Sequence, residues 1–98
     1  MNQSAMVIGT CIIDLEITDG DSLKDKRQVV KSLIERLRHR FPVSVAQLDD
    51  HDLWHSATLG VAVVTNRTTH AHQVLNKLLD YVESDPRVLV VACQMEML

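Results

Sequence analysis

Nine consecutive residues, DDHDLWHSA at positions 49–57, gather three carboxylates, two imidazoles and the chain's only tryptophan. Three roles suit such a run. If residues 50–56 formed a helical turn, His51 and His55 would stand at i and i+4 and could share a metal ion with Asp52. Two histidines and one acid leave the ligand set incomplete, since a metal site also needs a further donor and groups that orient the ligands. The simpler expectation is a charged connection in which Asp49, Asp50 and Asp52 act as turn and cap residues while Leu53 and Trp54 fold back over the end of the core. A third role would leave Trp54 exposed, as a stacking surface for a base or for a partner's side chain.

Other reactive side chains are placed less favourably. His70 and His72, two apart at a helix start, point about 200° apart and cannot hold one ion together. Asp14 and Glu16 share one strand face, where paired carboxylates could do acid and base work, but no nucleophile accompanies them. Cys11 and Cys93 sit in strand-like segments with no partner at metal-ligand spacing, and read as small buried hydrophobes. No glycine-rich phosphate loop is present. No catalytic residue and no cofactor are predicted, and a binding role is favoured over an enzyme.

The charge distribution carries more information. Net charge over the 98 residues is −3, yet Lys24 to Arg40 holds seven basic residues against two acidic ones, a local +5. The remainder has three against eleven, or −8. At 100° per residue Lys24, Arg27, Lys31 and Arg38 fall within an arc of about 60° beside the apolar stripe of the same segment. Arg36 and Arg40 lie on the other flank, and Lys26 falls inside the apolar arc, where its stem is expected to snorkel outward. Lys24, Lys26, Arg27, Lys31 and Arg38 are the expected contact for an anionic partner, either RNA or an acidic protein surface.

The elements that must position these residues follow from periodicity. Residues 5–17 (AMVIGTCIIDLEI) are β-branched and continuous, and predict a strand. TDGDS supplies a turn glycine, Ser22 as helix cap and Asp25 three residues on. Leu23, Val30, Leu33, Ile34, Leu37 and Phe41 then recur at helical spacing until Pro42. VSVAQL and ATLGVAVVTN predict the second and third strands. TTHAHQVLNKLLDYVES predicts a second helix with Ala71, Val74, Leu75, Leu78, Leu79 and Val82 on one face. RVLVVACQMEML predicts the last strand.

The order β-α-β-β-α-β over residues 1–98 predicts a single α+β domain of the ferredoxin-like kind, a four-stranded antiparallel sheet with both helices on one face. Its other face stays uncovered. Ile8 and Ile12 on the first strand, with Val88 and Val90 on the fourth, are expected to make that face apolar and to pair two copies as a homodimer. Apolar runs are too short to cross a bilayer, and the start MNQSAMV has no basic region before its apolar stretch, so a cytoplasmic protein with no membrane partner is expected.

Two stretches, SLKDKRQVVKSLIERLRHRF (Ser22 to Phe41) and VSVAQLDDHDLWHSATLGVAVVTN (Val43 to Asn66), resemble the bacterial YlxP-like family, domain of unknown function 503. The most specific parts are SLKDKR after the first strand and DLW followed by LGVAVV, and the resemblance extends over essentially the whole chain. It implies a ferredoxin-like fold, a small cytoplasmic protein, and genes neighbouring those for translation initiation and ribosome maturation. It implies no established activity. The family pattern has glutamine where this chain has His55 and no histidine at His51, so no family-wide metal role is implied.

Overall fold

A computed structural model describes residues 5–49 and 51–98. The elements are β1 (Val7–Ile17), α1 (Leu23–Arg40), β2 (Ser44–Gln47), β3 (Ser56–Thr65), α2 (Thr68–Glu83) and β4 (Val88–Met97). They form one antiparallel sheet in the order β2-β3-β1-β4. This is the ferredoxin-like α+β arrangement expected from the sequence. Each crossover spans one strand and lays its helix on the same side.

Alternation in β1 explains the central layer. Cys11, Ile13, Leu15 and Ile17 are buried against the helices, with Leu59, Val61 and Val63 of β3 beside them. From above, α1 contributes Val29, Val30, Leu33 and Leu37, and α2 contributes Ala71, Val74, Leu75, Leu78 and Val82. Gly9 permits the closest approach of α2 to the sheet, because a Cβ there would lie 3.0 Å from that of Ala71 and 3.2 Å from Leu75 Cδ1. At the entry to α1, Gly20 takes φ 103°, a left-handed conformation that glycine adopts without penalty. Ser22 then caps the helix by accepting from the Asp25 amide at 3.1 Å, while Asp25 reaches back to the Asp21 amide.

The fourth strand departs from the expected alternation. Asp14 pairs with Ala92 but Leu15 pairs with Val90, so Val91 is an extra residue in a β-bulge. The bulge reverses the phase of everything before it. Val88, 6% exposed, joins the core and Val90 packs against it, while Leu89 and Val91, at 54% and 56%, face away. Val88 and Val90 therefore do not belong to the uncovered face, where Leu89 and Val91 take their place; Ile8 and Ile12 lie on it as expected.

Cys93 also corrects an expectation. Its phase is the helix side, but β4 is an edge strand that the helices cover only in part, and the residue is exposed. Cys11 is buried 3.8 Å away from it, with its pKa pushed up to about 12, first by burial and then by the Cys93 sulfur.

Candidate functional site

The acid and histidine run is organised by a residue from outside it. Lys26 sits on the apolar arc of α1, and rather than snorkelling outward it lies only 2% exposed with its ammonium turned to the end of the sheet. Its Nζ donates to Asp49 Oδ2 at 2.8 Å and to the Leu53 carbonyl at 2.8 Å. Asp49, its side chain equally buried, accepts further bonds from the Thr58 amide at 2.8 Å and from Gln47 Nε2. Burial alone would raise the Asp49 pKa, but the Lys26 ammonium, the Thr58 amide and Gln47 together hold it below the ordinary carboxylate value. This is a clamp that ties the connection before β3 to the start of α1. Lys26 is consequently withdrawn from the anionic-partner surface.

His51 and His55 turn to different partners. His51 Nδ1 accepts from the Leu53 amide and lies 3.8 Å from Asp49 Oδ2, whereas the His55 ring sits against Trp54, centroids 5.6 Å apart. Among the described residues no three His, Cys, Asp or Glu side chains are gathered to hold a metal ion. The set His51, Asp52 and His55 is thus not assembled, and the expected cap role of Asp50 lies outside the described residues. Leu53 and Trp54 do not fold over the core as expected: both are exposed, Trp54 by 39%. Lys26 of α1 holds the carbonyl of Leu53, the residue before Trp54.

Lys24, Arg27, Lys31 and Arg38 are all exposed, and none makes a salt bridge among the described residues. Arg27, Lys31 and Arg38 line one groove of about 390 Å³ between α1 and β2, together with Val30, Ile34, Glu35 and Gln47. Arg38 Nη2 donates to the Val45 carbonyl at 2.6 Å. Because Leu48 turns its amide to Thr58 of β3, alternation turns the amides of Val45 and Gln47 outward on this free edge. Cationic side chains thus stand beside a strand edge that turns both amides and carbonyls outward.

The opposite flank of α1 is used internally. Arg36 donates to Asp85 Oδ2 at 2.7 Å and to the Tyr81 hydroxyl at 2.9 Å, and Arg40 stacks over the Tyr81 ring at 4.5 Å. Arg87 closes on the same Asp85, which it holds far below the usual carboxylate range against the opposing effect of burial, with Arg36 assisting. Sequence periodicity separated these two flanks correctly but carried no sign of this second clamp, whose acid stands 49 residues from Arg36.

The profile of the family described as "Protein of unknown function (DUF503)" matches residues 8–95. The chain belongs to the DUF503 family. A DUF503 relative, "Uncharacterized protein YlxP" of Bacillus subtilis (strain 168), is 29% identical over 82 residues, covering 84% of this chain and 89% of the relative. Two solved structures share the fold. The de novo designed protein Foldit4 has TM-score 0.55 at 11% identity, covering 95% of this chain and 96% of its own. SnoaB, a cofactor-independent oxygenase from Streptomyces nogalater, has TM-score 0.50 at 10% identity, covering 93% and 90%. At such identities the likeness concerns the fold of this DUF503 chain alone. No described helix is long and apolar enough to cross a membrane.

Proposed function

We propose that this DUF503 protein is a non-enzymatic, cytoplasmic accessory domain that binds RNA through the ridge Lys24, Arg27, Lys31 and Arg38. The observation that carries this reading is the groove between α1 and β2 that Arg27, Lys31 and Arg38 line together, all three exposed and none in a salt bridge among the described residues. An acidic protein surface would satisfy the cations equally. The exposed Trp54, next in sequence to the Leu53 carbonyl that Lys26 of α1 holds, favours RNA, since cationic side chains with an aromatic platform are the usual recipe for single strands. The neighbourhood of translation genes implied by the family resemblance directs the search to ribosomal particles.

Titration of single-stranded RNA, followed by the fluorescence of the single tryptophan, tests this reading. Stacking on Trp54 quenches its emission on binding. Affinity falls with salt between about 50 and 200 mM, with a logarithmic slope of about −0.7 for each phosphate neutralised, or roughly −2 to −3 for this ridge. Exchanging Arg27→Glu together with Lys31→Glu abolishes binding in a protein with unchanged circular dichroism. Unaltered affinity and salt slope in that double variant would reject the ridge as the binding surface.

A further inference from the structure

The uncovered sheet face holds a feature that the RNA reading does not use. Exposed large apolar side chains are concentrated there: Ile12, Leu48, Val64, Leu89, Val91 and Leu98. Together they leave on the order of 600 Å² of apolar surface open, the upper limit for a monomer's largest patch and most of the roughly 800 Å² that each partner gives to a standard interface. A one-sided antiparallel sheet in water is expected to show polar residues instead.

The relief of this face determines what fits it. Towards the N-terminal end of β1, small residues of three strands, Thr10, Ala46, Gly60 and Ala62, floor a groove of about 480 Å³ walled by Leu48 and Leu98. The Gly60 backbone lies so close under Leu48 that a Cβ would come within 2.9 Å of its Cδ1. Towards the C-terminal end of β1, across the sheet on β4, Leu89 and Val91 stand out as a ridge, and the bulge at Val91 puts them there. Groove and ridge thus lie on opposite sides of the face's centre. A two-fold axis in the plane of contact, perpendicular to the line joining them, carries each ridge onto the other copy's groove.

We infer that two copies of this chain associate face to face through the uncovered sheet, Leu89 and Val91 of each seated in the other's groove. The contact is isologous and closes on itself, so it yields a dimer and not a fibre. Both helical layers remain on the outside, leaving the two basic ridges free for a partner. Asp14 and Glu16 beside the ridge and Glu96 beside the groove bring like charges of the two copies towards one another, so added salt favours association, opposite in sign to its effect on RNA binding.

Sedimentation equilibrium across a broad protein concentration range tests the inference. The wild type is expected as a dimer whose association weakens about 100-fold or more in Leu89→Lys/Val91→Lys, because the apolar ridge is then charged. Ala62→Phe, which fills the groove and leaves the ridge intact, is expected to have the same effect. Both sites are on the solvent side of the sheet, and a circular dichroism spectrum identical to the wild type certifies the fold. A wild type that remains monomeric at several hundred micromolar overturns the inference. So does a dimer that survives both variants, and so does a monomer whose groove takes up an apolar dye in one-to-one ratio, which would assign the face to a small ligand.

Discussion

Lys26 and Lys31 stand five residues apart on one helix, carry the same charge, and do opposite things. Lys26 points into the end of the domain and is consumed by Asp49 and the Leu53 carbonyl, whereas Lys31 points out beside Arg27 and Arg38 with no salt bridge among the described residues. The difference is one of angle, since about 140° of helix separates a cation in the apolar arc from one beside it. A local charge of +5 is therefore two separate things: cations that hold the protein together and cations that face outward. Arg36 belongs with Lys26, because it serves Asp85 and Tyr81. Lys24, Arg27, Lys31 and Arg38 form the other class.

The sharpest way to break this division is Lys26→Met. It leaves Asp49 buried beside an apolar side chain and the Leu53 carbonyl without its donor, at a cost of about 3–5 kcal/mol in urea unfolding, as for other broken buried pairs. Arg27→Met should change stability by less than about 0.5 kcal/mol. Equal effects in the two variants would erase the distinction. A double-mutant cycle with Asp49→Asn should return a coupling of about 1–3 kcal/mol.

Asp85→Asn ranks next, at about 2 kcal/mol, because Arg36 and Arg87 are each about a third exposed and can turn to water when the carboxylate is lost. The two clamps share a pH signature. Folding lowers the pKa of both Asp49 and Asp85, so the stability they contribute is complete above the unfolded carboxylate value of about 4 and is lost as pH falls through the lower folded values. Unfolding midpoints should be nearly level from pH 7 to 5 and drop below pH 4. In Asp85→Asn the midpoint is lower at neutral pH and the acid decline is shallower; an unchanged acid limb would place the titrating groups elsewhere.

What was legible in the sequence depended on whether the physics was local. Strand and helix order followed from periodicity, and the Ser22 cap with Asp25 from a spacing of three, because both are settled within a few residues. The place of Lys26 in the apolar arc was visible too, but its partner was not: Asp49 lies 23 residues away, and only the fold brings them within 2.8 Å. The phase of β4 failed at Val91, since a bulge is set by pairing with β1 and leaves the run VLVVAC looking like uninterrupted alternation. Exposure of Cys93 and Trp54 likewise depended on strand order and on where the Lys26 clamp holds the loop. The ridge itself was legible, because which face of a helix a residue occupies is arithmetic.

The smallest expected effect tests the outward class most directly. Lys24 occupies the first turn of α1, where free amides and the helix dipole disfavour positive charge, and it is exposed with no salt bridge among the described residues. A residue kept only as a solvated helix face would be better replaced by almost any neutral side chain. Lys24→Gln should therefore raise stability by a few tenths of a kcal/mol, seen as a slightly higher urea midpoint with the same slope. If the ridge meets phosphates, the same change should weaken RNA binding and reduce the magnitude of the logarithmic salt slope by about 0.7. A gain in stability joined to a loss in binding would show a cation placed against the folding interest of its own helix. A gain in stability with binding and salt slope unchanged would remove Lys24 from the contact and confine the ridge to Arg27, Lys31 and Arg38.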